Sequence, residues 1–268
     1  MIVKKISKEN KQSILRIAHY NIFNGGEGKL EKILKVIQKI DPDVCGVLEA
    51  VGWQNKKNTL KSITKKLGYK FFNIAIANSK YNIGFFSKVP VVVKYIKKGF
   101  RHVVVQIIIK EGKHRGLNVF FVHLSPVSED ERMKEVEKLL LYINKYSRSI
   151  VMGDFNSLSL HDPYNEKKLM AFFKKNNITK YGINKLRFDV IKKIESSGLV
   201  DVMRHLKRPF IFSVPTQSNA DINHTLKLRV DYAFVTKKVL KHFSKAQMFK
   251  NYISDTASDH YPFFIELK

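Results

Sequence analysis

Six short stretches of this chain carry side chains suited to chemistry, and each stands where an apolar run stops or starts. Asn21 follows ILRIAHY, Glu49 follows VCGVL, His123 follows VFFV, and Asp154 and Asn156 follow IVMG. Asp231 stands at the head of DYAFV, and Asp259-His260 precede YPFFIEL. Each has a plain reading when taken alone. Asn21 suits a turn, Glu49 a helix cap, Gly-Asp-Phe-Asn an Asx-rich turn, and Ser258-Asp259-His260 a capping turn. Asp231 suits a strand edge, and His123 a hydrogen-bonded strand end. Taken together, six such coincidences point to one preorganised site at the rim of a sheet, because strand ends hold side chains more rigidly than loops do.

The chemistry these residue types suit is hydrolysis of a phosphate ester. A phosphodiester is an anion that repels hydroxide, so its cleavage needs positive charge, an activated water and a proton for the leaving oxygen. Oxygen ligands such as Glu49, joined by Asn21 and Asp259, suit a hard cation, Mg²⁺ or Mn²⁺, which neutralises a non-bridging oxygen. His260 has a side chain able to take a proton from water near neutral pH, with Asp231 as the carboxylate to orient it. Asp154 aligns that water or helps to hold the metal. Asn156 and Asn21 offer amide N–H groups to phosphate oxygens, and His123 is the candidate to protonate the leaving oxygen. Arg101, with His102, opens an apolar strand where it can meet a phosphate. His224, in the Asp221-Ile222-Asn223-His224 run, lies close enough in sequence to Asp231 to reach the site. His19 and His242 receive no role. Trp53 and Gln54 follow Glu49 closely enough to wall a cleft, although a lone Trp more often packs in a core.

The elements that must position these residues follow from periodicity. Short apolar runs predict strands over 14–20, 43–48, 69–76, 82–87, 91–97, 102–109, 117–122, 149–152, 229–236, 246–250 and 261–267. Helical spacing of Leu30, Ile33, Leu34, Ile37 and Ile40 predicts a helix over 29–40, stopped by Asp41-Pro42. Further helices are predicted over 56–67 and 129–146, and residues 157–210 read as helical and loop-rich. Several consecutive strands in the middle of the chain exclude a regularly alternating parallel sheet. They fit an α/β fold of two mixed, mostly antiparallel sheets packed face to face with helices outside. With no linker or repeat, residues 1–268 read as a single domain.

Lys and Arg number 49 against 23 Asp and Glu, a formal charge of +26. Such a field attracts polyanions: nucleic acid, phospholipid surfaces or polyphosphates. A Lys-rich coding bias or a solubility device is the plain alternative. The lone Cys45 excludes an intrachain disulfide and reads as a buried, inert thiol. Residues 1–12 hold no apolar leader segment, and the longest apolar stretches are too short to cross a bilayer. The expected setting is the cytoplasm, and no obligate protein partner is implied.

The order and wording of the motifs resemble the endonuclease/exonuclease/phosphatase superfamily, the fold of pancreatic deoxyribonuclease. The pieces that carry the resemblance are Tyr20-Asn21-Ile22, Asp41-Pro42-Asp43-Val44 leading to Leu48-Glu49-Ala50, Val122-His123-Leu124, Gly153-Asp154-Phe155-Asn156, Arg229-Val230-Asp231-Tyr232 and Ser258-Asp259-His260-Tyr261-Pro262. The resemblance implies a four-layer α/β sandwich, divalent-metal dependence and hydrolysis of a P–O bond. It leaves the branch open. Abasic-site endonucleases carry a Tyr motif where this chain has Val122-His123-Leu124, and a Trp where it has Thr225 to Leu228. A His at that position is similar to the pancreatic deoxyribonuclease, sphingomyelinase, deadenylase and inositol phosphatase branches. The tyrosyl-DNA phosphodiesterase pattern has Trp and Gln where this chain has Tyr20 and Leu48, and the secreted deoxyribonucleases have disulfides that Cys45 alone cannot form. The charge favours a nuclease with nucleic acid as substrate. The alternatives are a phosphatase or phosphodiesterase acting on a lipid head group or small phosphate ester, and an inactive basic nucleic-acid-binding module.

Overall fold

The computed structural model describes residues 14–218 and 221–268; residues 1–12, read above for a leader, lie outside them. The strands are β1 (Leu15–Asn21), β2 (Val44–Leu48), β3 (Phe71–Ala75), β4 (Ile83–Ser87), β5 (Val91–Ile96), β6 (Val104–Ile109), β7 (Asn118–His123), β8 (Ser149–Asp154), β9 (Val200–Asp201), β10 (Asp231–Val235), β11 (Phe243–Met248) and β12 (Phe263–Leu267). Between them lie α1 (Leu30–Ile40), α2 (Lys57–Lys66), α3 (Glu129–Ile143), α4 (Glu166–Lys175) and α5 (Asp189–Ser196), with one-turn helices α6 (Val202–His205), α7 (Lys237–Leu240) and α8 (Ser254–Ala257). The strands form two six-stranded sheets, ordered β11-β12-β1-β2-β4-β3 and β5-β6-β7-β8-β10-β9. The two sheets repeat one pairing pattern. In each, a central parallel pair, β1 with β2 or β7 with β8, is flanked by antiparallel neighbours. The parallel pairs need crossovers, which α1 and α3 supply.

Alternation along the strands sorts side chains between two layers. Ile17, Val44, Phe85, Val105, Val119, Phe121, Met152 and Ala233 face the other sheet and fill the shared core. Their neighbours Ala18, Cys45, Val47 and Phe86 face outward with Ile33, Val36 and Ile37 of α1. On the second sheet Phe120, Val122, Val151 and Phe234 face outward against Val136, Leu139, Val190 and Ile194 of α3 and α5. Fully burying one such aliphatic or aromatic side chain stabilises a fold by roughly 1.5–3 kcal/mol. The result is an α/β sandwich of helix, sheet, sheet and helix layers, as the periodicity and the resemblance both predict.

Local signals set the helix ends. Asp41 takes a left-handed conformation (φ 51°), donates its N–H to Ile37 O, and ends α1 just before Pro42. Ser128 caps α3 by accepting from Glu131 N, while the Glu131 carboxylate accepts from Ser125 Oγ. Differences from expectation fall at element edges: α3 stops at Ile143, β6 starts at Val104, and β11 begins earlier, at Phe243. Within 157–210 a two-residue strand, β9, pairs with β10; nothing so short has a readable period. Trp53 is core and no cleft wall: its ring stacks on Phe86 and its indole N–H donates to Gly25 O. Gln54 accepts from Asn82 Nδ2. Cys45 is buried, and burial pushes its thiol far above its ordinary range.

Candidate active site

The strand register explains why the chemical residues meet. His19 and Asn21 share the inward face of β1 with Ile17; His123 shares that face of β7 with Val119 and Phe121. Asp154 ends β8 and Asp231 begins the antiparallel β10, so the register pairs them directly; His123 pairs Asp154 on the other side. Glu49 follows β2, beside the end of β1. Asp259 and His260 lead into β12, which is antiparallel to β1. One end of both sheets thus gathers every one of these side chains between the two inner faces.

Asn21 Nδ2 donates to Glu49 Oε1 (3.1 Å) and to Asp154 Oδ2 (3.2 Å), so one amide separates two carboxylates. Its oxygen accepts from Phe23 N (3.1 Å). In this arrangement the Asn21 amide nitrogen spaces the two carboxylates. Glu49 Oε2 accepts from Asn24 N (3.0 Å), and Glu49 itself is left-handed (φ 59°), held there by the loop after β1. Its side chain is 14% exposed, whereas that of Asp154 is sealed. His123 Nε2 stands 3.6 Å from Asp154 Oδ2 and 3.9 Å from Glu49 Oε1.

Asp231 bridges two histidines. His260 Nδ1 donates to its Oδ2 (2.7 Å) and His19 Nε2 donates to its Oδ1 (3.1 Å). An ionised carboxylate only accepts, so each ring must carry its proton on the nitrogen facing Asp231. His260 Nε2 is then left buried and without a partner, 3.9 Å from Asp154 Oδ2 and 4.0 Å from Asp259 Oδ2. His19, which received no role above, is therefore part of the cluster. Its signal was its period-2 spacing from Asn21.

The remaining expected residues divide. Asn156 is left-handed (φ 50°), donates its backbone N–H to Asp154 Oδ1 (2.7 Å) and its Nδ2 to Leu124 O (3.0 Å). Its amide therefore shapes the turn after β8. His224 reaches the cluster, with Nδ1 donating to Asp259 Oδ2 (3.3 Å). Arg101 does not: its guanidinium is 48% exposed and stands 3.9 Å from Glu131, outside the cluster, because β6 starts only at Val104. Its neighbour His102 reaches in instead, stacking on His123 with centroids 4.5 Å apart. Lys180, buried beside Asn156 and His224, was not foreseen; it lies in a loop with no periodic signal.

Electrostatics assign the protons. Burial pushes Glu49 up to about 7, reinforced by the Asp259 charge. Burial also raises Asp154, with Asp231 adding to it. Burial would lower His260, but the Asp231, Asp259 and Asp154 carboxylates outweigh it and lift the ring to about 10. Burial would raise Asp231, yet the His260 charge and the two imidazole N–H donors hold it below the usual carboxylate range. Burial, with the His260 charge, holds His123 down at about 3. These shifts favour the neutral ring of His123 and the charged ring of His260 at neutral pH.

The donor set fits a hard divalent cation. Glu49 and Asp154 are two buried carboxylates with only an amide between them, and burial penalises the charge on both. A cation at that point removes the penalty. His224, Asp259 and His260 form a second buried group, with ligand atoms within 4.8 Å of one another.

Residues 18–260 match the endonuclease/exonuclease/phosphatase family, and the chain belongs to it. Enzymes of that family hydrolyse phosphoester bonds and typically depend on divalent metals. No curated protein sequence matches the chain. Among solved structures, a 3′ phosphatase from Neisseria bound to a product DNA hairpin is similar over 95% of this chain and 99% of its own, at 14% identity and a TM-score of 0.72. An AP endonuclease from Archaeoglobus fulgidus is similar over 95% and 99%, at 17% identity and a TM-score of 0.69. A 3′–5′ exonuclease from Neisseria meningitidis is similar over 95% and 100%, at 14% identity and a TM-score of 0.69. At these identities the likeness is one of fold. Among the described residues, no helix is long and apolar enough to cross a membrane.

Proposed function

We propose that the chain is a divalent-metal-dependent nuclease that hydrolyses phosphodiester bonds in nucleic acid, residues 1–268 working as one domain. The observation that carries this reading is the juxtaposition of the Asn21-spaced Glu49 and Asp154 carboxylates with the partnerless Nε2 of an Asp231-oriented His260. Glu49 and Asp154 hold Mg²⁺ or Mn²⁺, with Asp259 close by to complete the oxygen set. The bound cation supplies positive charge to the phosphate and lowers the cost of attack. Asp231 keeps the His260 ring fixed, so that Nε2 exchanges a proton at the reacting phosphate or its water. Asn21 keeps the two carboxylates apart, and neutral His123 lends a ring nitrogen between Glu49 and Asp154. The sealed setting makes each of these interactions stronger than in water.

Nucleic acid is the favoured substrate because of the charge, +26 in all. Away from the site, on the outer face of β5 and β6 against the end of α3, a groove of about 520 Å³ lined by Lys94, Lys97, Lys98 and Lys145, with Tyr95 and Tyr142, has no acidic residue in its lining. The structures similar in fold include a 3′ phosphatase bound to DNA and an AP endonuclease. The test is an activity screen with Mg²⁺ and with Mn²⁺ against plasmid, single-stranded DNA, abasic duplex, RNA, sphingomyelin and simple phosphate esters. Cleavage of a polynucleotide that stops in chelator and returns with Mg²⁺ or Mn²⁺ is expected. Turnover of the lipid or the small ester, with every polynucleotide intact, would replace the nuclease reading by that of a phosphatase or lipid phosphodiesterase. Full turnover in excess chelator would overturn the metal.

A further inference from the structure

Lys180 is a buried cation for which the reading above has no task. Its side chain lies in the loop between α4 and α5 and is only 7% exposed. Its ammonium donates to Asn156 Oδ1 (3.0 Å) and to His224 Nε2 (3.2 Å). The loop is tied down from below: Arg132 of α3 donates to the Lys180 carbonyl, to Ser157 Oγ (2.8 Å), to Ser125 O (2.9 Å) and to Glu129 Oε2 (2.9 Å). The same guanidinium therefore fixes the loop of Lys180, the turn after Asp154 and the first turn of α3.

The chemistry of the partners settles the state of His224. An ammonium has three donors and no acceptor, so the ring nitrogen facing it must offer a lone pair. An ionised carboxylate has only acceptors, so the ring nitrogen facing Asp259 must carry a proton. Both ends demand one tautomer, protonated on Nδ1 and bare on Nε2. With both nitrogens engaged, His224 has no lone pair to spare for a cation. Its contribution to the Asp259-His260 group is then to hold Asp259 Oδ2. At its other contact, Lys180 turns the Asn156 oxygen toward itself, which leaves the amide nitrogen for Leu124 O.

We propose that Lys180 is a positioning residue: it fixes His224 in the Nδ1–H form, and through that ring holds Asp259, while locking the amide of Asn156. The proposal rests on the reading of Asp259 and Asn156 as members of the active site. Outer partners of this kind typically change activity by about 10–100-fold when removed.

The test begins with the folded wild-type protein, ¹⁵N-labelled at histidine, whose ring-nitrogen shifts report the tautomer without any turnover. His224 is expected to show a protonated Nδ1 and an unprotonated Nε2 at neutral pH. Lys180→Met removes the donor at similar length, so the Nε2 resonance should lose the signature of its hydrogen bond, while Nδ1 stays protonated toward Asp259. Turnover on a polynucleotide should then fall about tenfold or more with little change in KM. Lys180→Gln keeps a donor without the charge, and should retain both the Nε2 hydrogen bond and most of the turnover. A wild-type ring protonated on Nε2, or a ring unchanged in Lys180→Met, overturns the proposal whether or not the protein cuts nucleic acid. Equal loss of turnover in both variants, with the Nε2 hydrogen bond kept in Lys180→Gln, also overturns it, because the charge would then act on substrate directly.

Discussion

At the scale of single residues, the cluster is organised around Asp231, which accepts from His260 and His19 at once. His260→Ala should lower turnover by roughly 10²-fold or more, the scale of general acid–base catalysis, measured as kcat with saturating Mg²⁺. Normal turnover in that variant would remove His260 from the mechanism. His19→Phe tests the second arm. It leaves a buried carboxylate oxygen without its partner, so unfolding in urea should show a loss of about 1–3 kcal/mol. Much of this cluster was legible before any coordinates. Asn21, Glu49, His123, Asp154, Asp231, Asp259 and His260 were all singled out as polar stops to apolar runs. What could not be read was the pairing between them. Which nitrogen of His260 faces Asp231, or that the Asn21 amide lies between two carboxylates, depends on inter-sheet packing that leaves no mark on spacing. His102 sits one residue from Arg101, and Lys180 lies in an unpatterned loop.

At the scale of elements, the parallel pair β7–β8 carries His123 and Asp154 side by side. Gly153, one residue before Asp154 and paired with Val122, has φ 149°, and a Cβ there would fall on the Val122 carbonyl of the adjacent strand. Gly153→Ala should therefore push β8 from β7, because only glycine tolerates that backbone and that approach together. We expect a loss of about 1–3 kcal/mol in chemical denaturation, the usual range for overpacking. Turnover should fall even where the fold survives, since His123 and Asp154 separate. A variant as stable and as active as wild type would show that the strands can part without disturbing the site. Strands with strict alternation, such as β1, β7 and β12, were legible to within a residue or two. The short elements β9, α6, α7 and α8 were not, because two to four residues hold less than one period of any pattern; tertiary contacts with β10, β11 and α1 define them instead.

At the scale of the whole molecule, the positive field makes a prediction about salt. A protein that neutralises several backbone phosphates releases condensed cations, so log affinity falls against log salt with a slope near −0.9 per contact on duplex DNA and about −0.7 on single strands. Binding of a polynucleotide at fixed free Mg²⁺ should therefore weaken by roughly a hundredfold or more between low and moderate salt, while a small phosphate ester changes far less. A flat salt series with the polynucleotide would show that the +26 charge is not used to grip it.

One property of the sandwich has a consequence for how the molecule comes into being. β1 is hydrogen-bonded to β12, and the two strands lie at opposite ends of the described chain. Asp259 and His260 are delivered to the cluster only by the segment that leads into β12. During synthesis, β1, β2 and the α1 crossover leave the ribosome long before their antiparallel neighbour exists, and their inner flank waits uncovered. The carboxylates of Glu49 and Asp154 can be in place by then, but the Asp231 carboxylate has no His260 to hold. Under the proposed function, a nascent chain is therefore silent until the segment leading into β12 is released, and hydrolysis arrives together with the pairing of β12 on β1 rather than building up along the way.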